Sequence, residues 1–276
     1  MKARAADTGL PPVATLWVGD SLDWVARLAL ASFAHRGHDV TLYRVGGFEN
    51  PGIAGVTLRE ASEIYTDPEL LLDTIRPAAF TDIFRLHMIR DTGAIWFDTD
   101  ALCHRPLKLQ DGYLIGHEAS GWVNNAVMYL PPDSAALTAM IAALSDPSRT
   151  PEWLHPSTQK KIRTAPKGQR LFTALDYFPN ALGPRALTYF LQQSGEIDRA
   201  LPDEVLNPVP WTMTDVLFNP HGGYEGWVTE STLTMHLYLS RVRKYHRKTR
   251  PHPDSYIGKL AVEVGCDLSE LRAPSE

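Results

Sequence analysis

Two aspartates one residue apart, Asp98 and Asp100, directly follow the short apolar run Ala94–Phe97 (AIWF). In an extended segment residues i and i+2 project to the same side, so both carboxylates face one spot at the end of a strand. In open α/β sheets that carboxyl end is where ligands bind. Neighbouring anions disfavour each other's ionised form. A divalent cation such as Mn²⁺ or Mg²⁺ relieves the repulsion, because such ions favour oxygen ligands and bridge carboxylates to phosphates. An Asp-x-Asp triplet also occurs as a plain polar turn, so its meaning depends on what else converges there.

Asp82 and Arg85 form the second candidate group. Three residues apart, they share one face of a helix. The apolar stripe Phe80, Phe84 and Met88, with Ile83, lies mainly on the other side. Taken alone the pair reads as an exposed helical ion pair, worth under about 0.5 kcal/mol. Its position makes it more interesting, since the helix runs through Gly93 straight into the Asp-x-Asp strand. Arg85 offers a bidentate donor fork that suits sugar hydroxyls or a diphosphate.

The elements that must carry these side chains follow from periodicity. Val13–Val18 reads as a buried strand, Leu22–His35 as a helix closed by Gly37, and Asp39–Arg44 as a second strand. Strand, helix and strand in that order make a βαβ unit and predict a parallel sheet. Helices are expected at Asp67–Thr74, Ala78–Asp91, Ser134–Leu144, Gln169–Tyr177 and Pro184–Gln193. Further strands are expected at Ala94–Phe97, Tyr113–His117, Asn125–Leu130 and Thr232–Tyr238. Residues 145–168, rich in Pro, Ser, Thr and Lys, read as a surface excursion, and most of the chain beyond residue 193 reads as loop. No internal repeat or strong linker divides the chain.

Composition narrows the function classes. The 276 residues are 44% hydrophobic and carry 27 basic against 32 acidic side chains, a net charge of -5. That balance argues against a general nucleic-acid binder. Two cysteines, Cys103 and Cys266, form no CxxC pair and point to a reduced, cytoplasmic setting. Cys103 reads as a small buried hydrophobe. No apolar run reaches the roughly 20 residues that span a bilayer.

The run Ala78-Ala79-Phe80-Thr81-Asp82-Ile83-Phe84-Arg85, followed by Gly93-Ala94-Ile95-Trp96-Phe97-Asp98-Thr99-Asp100, resembles the DXD sugar-binding region of glycosyltransferases. It is most similar to glycosyltransferase family 32, related to α-1,4-glycosyltransferases and the clostridial glucosylating toxins. Looser echoes keep the same order: Leu16-Trp17-Val18-Gly19, Asn124-Asn125-Ala126-Val127-Met128, Gly183-Pro184 and Met235-His236-Leu237-Tyr238. The chain departs from the pattern at Ala94, where the family has a second glycine, at Trp96, where it has a tyrosine, and after His236, where its tryptophan is missing.

The resemblance implies a single GT-A-type α/β domain over 1–276, with a mostly parallel central sheet flanked by helices and a loop-rich C-terminal half. Residues 13–130 would bind a nucleotide-sugar, and 131–276 would form the acceptor side. It implies a retaining hexosyltransferase that is metal-dependent through Mn²⁺ or Mg²⁺, with a UDP-sugar donor and a glycan or lipid-linked acceptor. Carried over residue by residue, Asp82 and Arg85 contact the donor, Asp100 ligates the metal, Asp98 binds ribose or the metal through water, and His236 is a metal or diphosphate ligand. Neutral imidazole suits ions like Mn²⁺. Trp17 is a stacking platform for the base, worth about 1–3 kcal/mol, or else a core tryptophan. Asn124 and Asn125 offer amides to sugar hydroxyls.

Two segments fall outside those motifs. Residues 241–250 (RVRKYHRKTR) hold seven basic side chains and could dock at an anionic membrane face or be a solvated basic segment. Residues 221–227 (HGGYEGW) read as a mobile loop able to close over donor or acceptor. Two rival functions remain. A phosphatase of the haloacid-dehalogenase type needs Thr or Val four residues after its first Asp, where this chain has Leu102. A catalytically inactive nucleotide-sugar-binding module would keep the same residues.

Overall fold

The structure, a computed structural model, describes residues 9–242 and 244–273. The first third of the chain lays down β1 (Val13–Val18), α1 (Trp24–His35), β2 (Val40–Val45), β3 (Val56–Glu60), α2 (Pro68–Leu72), α3 (Pro77–Thr92) and β4 (Ile95–Phe97). A short β5 (Ala101–Cys103) is followed by β6 (Leu114–His117), β7 (Val123–Tyr129) and α4 (Ala135–Leu144). Then come α5 (Pro156–Ile162), α6 (Arg170–Tyr177), α7 (Pro184–Ser194), α8 (Asp203–Leu206), β8 (Thr234–His236), α9 (Lys244–Lys248) and α10 (Tyr256–Glu263).

Six strands form the central sheet in the order β3-β2-β1-β4-β7-β6. The first four are parallel, while β7 runs antiparallel to β4 and β6 antiparallel to β7. The chain builds outward from β1 to β3 and then returns to place β4 on the other side of β1. The carboxyl ends of β1 and β4 therefore flank a topological switch point, where α/β sheets open a ligand crevice.

β4 shows how the two faces are covered. Successive side chains of a strand point to opposite faces. Phe97 stacks on Phe33 of α1, with ring centroids 4.0 Å apart, and Trp96 meets Phe84 of α3 at 6.3 Å. Helices thus lie on both faces. All four rings are buried, and burial of one large apolar side chain is worth about 1.5–3 kcal/mol. Asp98 is two residues beyond Trp96 and falls on the α3 side, the face that carries Asp82 and Arg85.

Local chemistry sets the helix ends. Asp23 accepts the Ala26 N–H at 2.8 Å and starts α1 at Trp24, two residues later than the sequence predicts. α3 begins with Pro77 and ends at Gly93, whose left-handed φ of 68° turns the chain into β4.

Several expectations are corrected. β3 has no apolar signal because it is an edge strand with only Val56 buried. The excursion at 145–168 contains α5, two turns opened by Pro156 whose polar composition masks the buried Thr158 and Ile162. The C-terminal half is less loop-rich than expected, since α10 buries Tyr256, Ile257, Leu260 and Ala261. Gly258 weakens the helix signal there, yet a Cβ at that position would lie 2.0 Å from the His252 carbonyl oxygen. The expected strand at Thr232–Tyr238 shrinks to Thr234–His236, because Tyr238 is left-handed, with φ of 48°. Cys103 is fully buried in β5, and its burial drives the thiol pKa upward. No described helix is long and apolar enough to cross a membrane.

Candidate functional site

Asp98 follows β4 and starts a turn in which its carbonyl accepts the Ala101 N–H at 2.9 Å. The turn leads into β5, which pairs antiparallel with β8 in a register that sets Ala101 opposite His236. This pairing carries a histidine from far along the chain to the Asp-x-Asp turn. Leu237 N–H donates to the Asp100 carbonyl at 2.9 Å, and Leu239 N–H donates to Asp100 Oδ2 at 2.7 Å.

Asp98, Asp100 and His236 consequently offer one ligand atom each, all within 4.8 Å of one another. His236 Nε2 is 3.5 Å from Asp100 Oδ1. Its Nδ1 is buried and has no hydrogen-bond partner among the described residues. Two carboxylates plus an under-satisfied imidazole suit a hard or borderline divalent ion. Burial pushes the Asp98 carboxyl above its ordinary range; Asp100 adds to this, and Arg85 opposes it. Asp100 is half-buried, and desolvation would raise it, but His236 and the Leu239 N–H outweigh that and hold it below the ordinary range. Burial disfavours the His236 imidazolium, and Asp100 and Asp98 more than compensate, so its pKa is raised.

Asp82 and Arg85 are a buried pair, which corrects the surface reading. They are only 8% and 4% exposed. Arg85 Nη2 lies 3.1 Å from Asp82 Oδ1, and Nη1 lies 3.1 Å from Asp98 Oδ1. Arg85 also donates to the Asn125 carbonyl and, at 3.3 Å, to the Thr81 carbonyl. Its guanidinium carbon sits 5.0 Å from the centre of the Trp96 ring. Asn125 Nδ2 donates to Asp82 Oδ1 at 2.8 Å. Burial raises the Asp82 pKa to about 6, against the pull of Arg85 and Asn125.

Two clefts meet at this centre. The first, of about 440 Å³, opens over Asp82, Arg85, Asp98, Thr99 and Asp100, with Leu16 from β1 in its wall. The second, of about 460 Å³, is lined by Glu118, Trp122, Asn124, Trp211, His236, Tyr238 and Arg241. Asn125, Pro179, Asn180, Pro184 and Ser240 line both. Asn124 donates to Glu118 at 2.6 Å and accepts the Ala126 N–H at 2.7 Å.

Other expected participants stand apart. Trp17 is half-buried, lines neither cleft, and its indole N–H has no partner among the described residues. Residues 221–227 line neither cleft, and Tyr224 of that loop rests on Tyr256 of α10 at 5.1 Å. In the basic stretch, Arg241 lies 4.3 Å over the Trp211 ring in the second cleft. Arg247 donates to the Leu239 carbonyl, and Arg250 donates to the carbonyls of Leu268 and Ser269. His246 stacks on Phe218 at 4.3 Å. Arg243 lies outside the described residues. The described side chains of this stretch are thus largely engaged within the fold.

Four contributors had no assigned role from sequence, although Trp96, Gly183 and Tyr238 lie within the motif stretches. Trp96 Nε1 donates to Asp98 Oδ1 at 2.8 Å, a contact that the i, i+2 spacing makes available. Glu118 carried no sequence signal, and Tyr238 entered only as the last residue of the Met235–Tyr238 echo. Gly183 abuts the pair so closely that a Cβ would lie 2.7 Å from Asn125 Nδ2 and 2.9 Å from Asp82 Oδ1.

No family model matches the chain, and no curated protein matches it. Among solved structures, it is similar to the PaToxG glycosyltransferase, at 14% identity over 67% of this chain and 69% of that one, with a TM-score of 0.45. It is also similar to the apo-form glycosyltransferase GlyE of Streptococcus pneumoniae TIGR4, at 12% identity and a TM-score of 0.42. That match covers 92% of this chain but spans only 62% of the GlyE chain. Likeness at this level assigns neither family nor activity, and the functional reading rests on the site.

Proposed function

We propose that the chain is a metal-dependent glycosyltransferase of GT-A type that moves a hexose from a nucleotide-sugar, a UDP-sugar by resemblance, to a glycan or lipid-linked acceptor hydroxyl with retention. The observation that carries this reading is the Asp98–Asp100–His236 cluster at the switch-point crevice, joined through Arg85 to Asp82. On this reading residues 13–130 supply most of the donor side and residues 131–276 part of the acceptor side, but both halves line both clefts: Glu118, Trp122 and Asn124 line the second, and Pro179, Asn180 and Pro184 the first.

Each role follows from placement. Asp98, Asp100 and His236 would hold a divalent cation, which would supply positive charge for a leaving diphosphate, the logic shared by phosphate-leaving reactions. Arg85 keeps a fixed positive charge in the first cleft and aims Asp82 and Asp98. Asp82 and Asn125 present hydrogen-bonding groups to sugar hydroxyls from the cleft wall. The second cleft shares that wall, so an acceptor hydroxyl seated there approaches the sugar beside the departing diphosphate. Such an approach retains configuration at the anomeric carbon, with a phosphate oxygen taking the hydroxyl proton and no protein nucleophile required.

Thermal melting with a panel of nucleotide-sugars, with and without Mn²⁺, tests the reading because ligand bound to the native state raises the melting temperature. The expected result is a Mn²⁺-requiring shift with one UDP-sugar that vanishes in Asp100→Ala, accompanied by slow release of free sugar. Binding without any sugar release or transfer points to an inactive module, and no shift with any nucleotide-sugar overturns the proposal.

A further inference from the structure

Tyr238 lies two residues beyond His236 and is one of three non-glycine residues with positive φ among those described, at 48°. A bulky residue seldom occupies that region. Such a conformation persists where surrounding contacts over-determine it, and these sites cluster at functional centres. Three contacts hold this one. The Tyr238 ring lies on the His236 ring with centroids 3.8 Å apart and planes 30° from parallel. Its hydroxyl donates to Glu118 Oε2 at 3.4 Å. The left-handed turn delivers the next amide, Leu239 N–H, to Asp100 Oδ2 at 2.7 Å.

Glu118 anchors the assembly. Its Oε2 also accepts from Asn124 Nδ2 at 2.6 Å, and its Oε1 accepts from Ser120 Oγ at 2.6 Å. With three donors on its carboxylate, Glu118 clamps Ser120, Asn124 and Tyr238 together. A metal-binding imidazole usually has its ring oriented by a hydrogen bond from its second nitrogen. His236 lacks one among the described residues, since Nδ1 has no partner. The Tyr238 ring instead covers the face of that imidazole.

We propose that Tyr238, held by Glu118, is a positioning residue that sets the direction of the His236 imidazole and the Asp100 carboxylate for a divalent cation. The inference rests on reading Asp98, Asp100 and His236 as a cation site, and it goes further in assigning the part that pre-aligns them.

The test uses the full chain, with Mn²⁺ alone as probe, read by electron paramagnetic resonance of the free ion and by melting in metal-free buffer. Tyr238→Ala and Tyr238→Gly are expected to weaken Mn²⁺ binding about 10- to 100-fold, the usual effect of removing an outer-shell partner. Tyr238→Gly should nevertheless melt above Tyr238→Ala, because glycine accepts the left-handed conformation freely. That divergence separates positioning from a merely structural role, which would restore binding together with stability. Tyr238→Phe and Glu118→Gln should each weaken binding about threefold, as for one lost hydrogen bond. Their double variant should weaken binding by less than the product of the two single effects, since both act on the Tyr238–Glu118 contact. Wild-type affinity in Tyr238→Ala and Tyr238→Gly overturns the proposal, as does affinity that recovers in step with melting temperature in Tyr238→Gly. Failure of wild type to bind Mn²⁺, or equal binding by Asp100→Ala, overturns the cation-site reading itself and this inference with it.

Discussion

Arg85 Nη1 lies 3.1 Å from Asp98 Oδ1, which ties the middle of α3 to the first residue of the Asp-x-Asp turn. The same guanidinium reaches Asp82 at 3.1 Å, so one buried cation holds two carboxylates from different elements in one cleft wall. A surface pair of this kind would be almost neutral in energy. A buried one is costly to break, because the remaining charges are left without a counter-ion.

Arg85→Ala is therefore expected to lower unfolding free energy by about 3 kcal/mol, the low end for a broken buried pair since Asp98 keeps some contact with water. Urea denaturation at neutral pH measures it. A loss typical of a surface residue would show that water enters the cleft freely and screens the pair.

Asp82 should leave a signature in the pH dependence of stability. Its folded pKa of about 6 lies above the ordinary 3.8, so the folded state binds more protons between these values. The stability it contributes is complete below the unfolded pKa and is lost as pH rises through the folded one. Asp82→Asn mimics the protonated form. Its stability relative to wild type should increase as pH rises between the ordinary 3.8 and about 6, most steeply midway between them, and level off above the folded pKa. A flat difference would mean that Asp82 is ionised throughout, with Arg85 winning over burial.

Gly183 is the cheapest place to damage the site from outside it. A Cβ there would lie 2.7 Å from Asn125 Nδ2 and 2.9 Å from Asp82 Oδ1, both short buried side chains that are already hydrogen-bonded. Gly183→Ala should cost about 1–3 kcal/mol as overpacking does. It should also displace the Asp82–Asn125 pair, weakening nucleotide-sugar binding at least about tenfold, as one lost charge-assisted contact would. Melting temperature and ligand titration together check it; unchanged values in both would show that the α7 start yields without disturbing the pair.

Much of this architecture was written in local pattern. The apolar runs of β1, β4 and β7, the Pro77 start and Gly93 end of α3, and the Asp98/Asp100 spacing all depend on neighbours a few residues away. Side-chain alternation in β4 even put Asp98 on the same face as Trp96. What resisted reading had weak local signal for identifiable reasons. β3 is an exposed edge strand, and α10 carries a glycine that the nearby His252 carbonyl requires.

The sequence by itself determined the elements, the parallel order of the first half and the residue types able to hold a cation and a diphosphate, because backbone preference and hydrophobic period are short-range properties. Only the tertiary structure decided that Arg85 is buried between two aspartates, that the β5–β8 register brings His236 to Asp100, and that Gly183, Glu118 and Tyr238 belong to the site. These relationships join residues far apart in the chain. They are set by strand register and by the shape of what packs between the elements, which no local segment encodes alone.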